Sequence, residues 1–212
     1  MIKEIIEKSV SDNSNSLQER RGELHVSDVG SCKRKVFLDI KGTIKREALN
    51  PQLLRVFDNG NSVHDRVRKY IKNAGIFEGE EIVVKDRELG IIGRYDCSVK
   101  INGEIYLVEL KSINTFNVET PNRNHVLQLT YYMHLSGIHK GILLYECKGN
   151  QNLCEFAVPY DVANYEEAKK WFMQIKIHLN HNQEPAIEYD KNKYPCKSRD
   201  NKCPYWEHCY GK

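Results

Sequence analysis

The chain has 212 residues, 40% of them hydrophobic and 29% charged, with a formal net charge of +3. That length suits one substantial domain with at most a small appendage, and the composition is ordinary for a globular protein. No run approaches the roughly 20 consecutive apolar residues of a spanning helix, so no membrane association is expected. Met1–Asn13 alternates charged and apolar residues without a hydrophobic region or a small-residue cleavage site. No secretory signal is read there, and the cytoplasm is the expected location. The mild net charge fits a nucleic-acid partner only where basic residues cluster.

In chain order, Met1–Lys8 reads as a short amphipathic helix and Ser11–Ser16 as a polar break. A second helix is expected from Ser27, whose hydroxyl can cap it, carrying Cys32 into Val36-Phe37-Leu38. Leu53, Val56, Phe57, Val63, Val67, Tyr70 and Ile71 recur at helical spacing, predicting a helix over 50–73 that Gly60 kinks or divides and Gly75 ends. From Glu80 the period changes. Glu81–Lys85, Gly90–Val99 and Glu104–Leu110 are β-rich, and Asn102-Gly103 between the last two is a hairpin signal. There follow a helix over Asn124–Leu135 ending at Gly137, a strand over Gly141–Glu146, a turn at Lys148–Asn152 and a strand through Val158. Tyr165–Leu179 is an amphipathic helix, and from Gln183 the sequence has no regular period. The order predicts an α/β fold, a mixed central sheet flanked by helices. One domain is expected, comprising an N-terminal helical segment (1–50), a core (51–182) and a tail (183–212).

If the Asn102-Gly103 hairpin forms, Asp96 and Glu109 lie on adjacent strands, and Glu109 and Lys111, two apart, share a face. Two carboxylates and a cation on one patch suit phosphodiester hydrolysis. The carboxylates can hold Mg²⁺ or Mn²⁺, which polarises the phosphate, and Lys111 can stabilise the developing charge. A Glu and a Lys two apart also occur on any solvated strand face, but here Ile105–Val108 and Leu110 make the setting apolar. His64 on the long helix, taken alone, reads more readily as an ordinary imidazole, and Gln128 and Tyr132, four apart, share a helix face.

As an ordered set, His64, Gly93-Arg94-Tyr95-Asp96, Glu109-Leu110-Lys111 and Gln128–Tyr132 resemble the RecB-type branch of the PD-(D/E)XK nucleases. The resemblance implies a restriction-endonuclease-like core in which His64, Asp96, Glu109 and the Leu110 main-chain carbonyl bind the metal. It also implies Lys111 as the catalytic lysine, with Gln128 and Tyr132 orienting the site and contacting DNA.

Seven cysteines are unevenly placed: Cys97, Cys147 and Cys154 fall in predicted strands as small buried residues, whereas Cys196, Cys203 and Cys209 crowd the tail. A reducing compartment disfavours disulfides, so the trio points to metal or cluster ligation. Four thiolates are needed, and Cys32 is the candidate fourth. Zinc is the rival, although its usual Cys-x2-4-Cys pairs are missing, and His208 is an alternative ligand. The segment around Cys32 together with the trio resembles iron–sulfur RecB-type exonucleases, the CRISPR-associated Cas-four family and the AddB nuclease domain. That resemblance implies a 4Fe–4S cluster on Cys32, Cys196, Cys203 and Cys209 that joins the tail to the N-terminal helix.

Lys33, Arg34 and Arg68 are candidate phosphate contacts and Tyr132 a candidate base contact, against the ordinary readings of solvated charge and core packing. The expected function is a metal-dependent exonuclease on single-stranded DNA ends, in CRISPR adaptation with integration proteins or in phage or repair end processing with recombination proteins. The alternatives are an endonuclease or RNase on the same fold, and a non-catalytic zinc-stabilised nucleic-acid-binding subunit.

Overall fold

The computed structural model describes residues 2–13, 22–198 and 201–211. In chain order the elements are α1 (Ile2–Asn13), β1 (Leu24–His25), α2 (Lys33–Lys41), α3 (Pro51–Asn73), β2 (Phe77–Asp86), β3 (Ile91–Ile101), β4 (Glu104–Ile113) and α4 (Arg123–Ser136). They continue with β5 (Lys140–Cys147), β6 (Leu153–Pro159), α5 (Val162–Asn180), β7 (Lys197–Ser198), β8 (Asn201–Lys202) and α6 (Trp206–Tyr210). Among the described residues, no helix is long and apolar enough to cross a membrane. The chain gathers into two compact units: Glu23–Gly30 with Gly60–Gln174, and Met1–Gly22 with Ser31–Asn59 and Ile175–Lys212.

The first unit is built on a mixed sheet. Asn102 and Gly103 both adopt positive φ (52° and 83°), as a two-residue turn with the twist of its strands requires, and they close the β3–β4 hairpin. β2, β3 and β4 form an antiparallel meander, β4 runs parallel to β5, and β6 returns antiparallel beside β5. β2 pairs with β3 over Ile91–Val99. The other edge of β3 is therefore divided: β1 takes Ile91 and Ile92, and β4 takes Cys97 onward. Between them, Gly93–Asp96 has no strand partner on that edge among the described residues.

Val63 and Val67 of α3 pack against Cys97 and Val99 of β3, Val108 and Leu110 of β4, and Ile142 of β5. Helix α4 is buried without interruption from Leu127 to Met133, the state expected of a helix enclosed on several sides. Its Leu129 and Met133 reach the β5 backbone at Gly141, where an added Cβ would come within 2.8 Å of Leu129. Tyr131 meets Phe172 of α5, and its hydroxyl donates to Asp86 at 2.6 Å. Asn122 caps α4 by accepting from the Asn124 amide, and Gly137 ends the helix in the left-handed region.

In the second unit, Val36, Phe37 and Leu38 of α2 are buried. The tail is fastened by Tyr205 donating to Asp39 at 2.8 Å, Glu47 N donating to the Pro204 carbonyl at 3.1 Å and a Lys33–Glu188 ion pair.

Several local expectations change. The first helix continues through Ser11 to Asn13, with the Ser11 hydroxyl donating to the Glu7 carbonyl, and residues 14–16 of the expected break lie outside the described residues. Ser27 does not start a helix. It sits in a single 3-10 turn (Val26–Asp28), and Gly30 at φ +73° separates this turn from α2, which begins only after Cys32. Gly30 is obligatory on two counts, since a Cβ there would also fall 2.2 Å from Asn124 Oδ1. Gly60 does not divide α3, and the tail holds a short β7–β8 ladder and α6 where no periodicity was expected.

Candidate active site

Asp96 ends the unpaired stretch of β3, and Glu109 lies on the neighbouring strand β4. Ladder pairing of β3 with β4 stops at Cys97↔Val108, one residue short of Asp96 and Glu109. Beyond that point Asp96 Oδ2 accepts a hydrogen bond from the Leu110 amide at 2.7 Å, so a side chain replaces the missing ladder bond. Asp96 Oδ1 lies 3.2 Å from His64 Nδ1. Burial acts to lower the His64 pKa, but the bond to Asp96 and its charge outweigh it and hold the imidazole above its ordinary range.

Glu109 is buried, and its Oε1 accepts from Lys111 Nζ and Gln128 Nε2, both at 2.8 Å. Lys111 also donates to Gln128 Oε1 at 3.0 Å, closing a three-membered network across β4 and α4. Tyr132 is in weaker contact with the Gln128 amide, at 3.5 Å. Burial pushes the Glu109 carboxyl up to about 7, Lys111 pulls against it and the Asp96 charge adds to it. Lys111 is half-buried, yet the Glu109 charge overcomes the desolvation and raises its pKa, so it stays cationic. Glu109 Oε2 is buried and has no hydrogen-bond partner among the described residues. Tyr132 packs edge-on against Tyr95, and Gly93 is glycine because a Cβ would stand 2.5 Å from the Tyr132 ring and 2.6 Å from Val26.

The structure thus brings His64 to Asp96, Asp96 to the Leu110 amide, and Glu109 to Lys111 and Gln128. Among the described residues, no three His, Cys, Asp or Glu side chains surround one point closely enough to hold a metal ion. Two further residues, His125 and Tyr145, adjoin the network and went unnoticed in the sequence. Tyr145 is the β5 partner of Lys111, and its hydroxyl lies 2.9 Å from His125 Nδ1. The available signal was His125 three positions before Gln128, on the same helical face.

Cys32, Cys196, Cys203 and Cys209 line one cavity in the second unit, together with Arg34, Leu38, Tyr189, Tyr205 and Tyr210. Burial pushes the thiols of Cys32, Cys203 and Cys209 up. His208 is engaged by Glu184 at 3.1 Å. Cys97, Cys147 and Cys154 are buried in β3, β5 and β6. Lys33 and Arg34 pair with Glu188 and Glu184, and Arg68 pairs with Asp65 and Glu81, so all three candidate phosphate contacts hold carboxylates of their own chain.

No protein-family model and no curated protein matches this sequence. Solved structures do. The chain is similar over its full length to 97% of SSO0001, at 20% identity and a TM-score of 0.64. It is also similar to an alkaline exonuclease from Laribacter hongkongensis, over 77% of this chain and 90% of that one, at 15% identity and a TM-score of 0.58. The same exonuclease in complex with dAMP matches over 76% and 89%, again with a TM-score of 0.58. At these identities the likeness establishes a shared α/β fold, one that a known exonuclease also adopts.

Proposed function

We propose that this protein is a metal-dependent DNA exonuclease that hydrolyses phosphodiester bonds at single-stranded ends. The observation that carries this reading is the Asp96–Glu109–Lys111–Gln128 arrangement at the point where β3 and β4 part. The exonuclease fold supports it, as does the dAMP complex of that relative.

The site chemistry fits a divalent cation. A buried carboxylate with one oxygen lacking a hydrogen-bond partner among the described residues is the state that a cation would relieve. His64, Asp96, Glu109 and the Leu110 carbonyl would hold Mg²⁺ or Mn²⁺, which supplies Lewis-acid polarisation of the phosphodiester. The chain's own groups do the remainder. Lys111 and Gln128 fix Glu109 Oε1, His64 and Asp96 restrain each other, and the Lys111 ammonium would stabilise negative charge developing on the phosphate.

Cys32, Cys196, Cys203 and Cys209 would hold a 4Fe–4S cluster, which supplies covalent links between the N-terminal segment and the tail. Four thiols around one cavity, lined also by aromatic and aliphatic side chains and by Arg34, Lys35 and Glu188, would suit a multi-iron group with a thiolate for each iron. In a CRISPR setting the partners would be integration proteins, and in phage or repair processing recombination proteins.

The test is cleavage of end-labelled single-stranded DNA by anaerobically purified protein in Mn²⁺, Mg²⁺ or EDTA, with Glu109→Ala alongside. Metal-dependent loss of label by wild type alone is expected, and circular DNA should survive. An iron-loaded, folded wild type that leaves every DNA intact would overturn the proposal.

A further inference from the structure

His125 lies on α4 three residues before Gln128 and seven before Tyr132, so the three share the helix face turned toward β4 and β5. Its surroundings determine where its proton sits. Tyr145 is buried, and its hydroxyl accepts from the Asn122 amide, an obligate donor, at 3.1 Å. The hydroxyl's own proton then needs an acceptor, and His125 Nδ1, 2.9 Å away, is the one in reach. Were Nδ1 to carry a proton instead, the buried hydroxyl proton would be left without a partner. Burial, reinforced by the Lys111 charge, lowers the His125 pKa to about 4, so the ring is neutral and Nδ1 is free to accept. The chain Asn122 N–H to Tyr145 O–H to His125 Nδ1 therefore selects the tautomer with the proton on Nε2. Among the described residues Nε2 has no hydrogen-bond partner. It is a fixed, neutral donor whose supporting tyrosine stands directly beside Lys111 in the β4–β5 register.

We infer that His125 is a substrate-binding residue that donates its Nε2–H to a non-bridging oxygen of a DNA phosphate next to the one facing Lys111. This rests on the nuclease reading above and adds to it a phosphate contact that is insensitive to salt.

The experiment is fluorescence anisotropy of a labelled oligothymidylate with Ca²⁺ replacing Mg²⁺ to suppress turnover, across a salt series. A hydrogen bond to a charged group corresponds to roughly a tenfold or greater loss of affinity in His125→Ala. The slope of log affinity against log salt should stay unchanged, since a neutral imidazole displaces no counterion. His125→Gln, whose amide nitrogen reaches the Nε2 position, should recover most of the affinity, and His125→Asn, which ends nearer Nδ1, should not. Wild-type affinity in His125→Ala, or equal loss in the Ala, Gln and Asn variants, would overturn the assignment and leave the nuclease reading standing. A wild type that neither binds nor cleaves DNA would remove both.

Discussion

Glu109→Gln in the metal-free protein isolates the electrostatics of the site from its chemistry. The carboxyl is raised from 4.5 to about 7, chiefly by burial. Between those values the folded state keeps a proton that the unfolded chain has lost, so stability is fully present below about 4.5 and declines as pH rises through 7. At 1.36 kcal/mol per pH unit, this decline amounts to about 3 kcal/mol by pH 8. Glutamine keeps the oxygen that accepts from Lys111 and Gln128 and carries no charge. The variant should match wild type near pH 4.5 and exceed it by up to about 3 kcal/mol at pH 8. The assay is urea unfolding in EDTA at half-unit pH intervals. The raised pKa of His64 adds stability that is present below its ordinary 6.5 and lost as pH rises above it, so a residual slope of the same sign should persist in Glu109→Gln. Added Mg²⁺ should stabilise wild type at pH 8 and not the variant. A Glu109→Gln protein weaker than wild type by the same margin at pH 5 and pH 8 would refute the argument, because a pH-independent loss means packing and not buried charge.

Lys111→Ala should lower kcat by roughly a hundredfold or more and lose more stability at pH 8 than at pH 5, since it strands Glu109 without its cation. Rate and melting measurements at both pH values check this, and an equal loss of stability at each would count against it. Gly93→Ala should destabilise the protein by about 1–3 kcal/mol by pressing on Tyr132 and Val26, read as a shift in the denaturant midpoint. Cys203→Ala should lose bound iron and melting temperature together, because ligation and folding are linked. Unchanged iron content in that variant would sink the cluster assignment.

Much of the layout was legible because local signals agreed with tertiary ones. The Asn-Gly turn fixes the β3–β4 register, and that register brings Asp96 beside the Glu109–Lys111 strand. The helical spacing of Gln128 then places its amide on Glu109. What stayed hidden has physical causes. β1, β7 and β8 are two residues long, too short to show a period. Ser27 has the chemistry of a helix cap, but the left-handed Gly30 that follows stops the turn, and Cys32 ends up ahead of α2 instead of inside it. The charges of Lys33, Arg34 and Arg68 were visible, whereas their carboxylate partners, up to 155 residues away, were not. His125 and Tyr145 meet only because α4 folds back onto β5.

The bond from the Leu110 amide to Asp96 bears on how this protein should be dissected genetically. Elsewhere in a sheet the clasp between neighbouring strands is backbone, and no side-chain truncation can delete it. Here one clasp is a side chain that is also a candidate ligand. An Asp96→Ala allele is therefore a compound lesion that opens the strand junction as it removes a carboxylate, and its phenotype cannot be assigned to lost catalysis alone. Glu109→Gln, which keeps every accepted hydrogen bond, is the cleaner null with which to ask what the activity does in a cell.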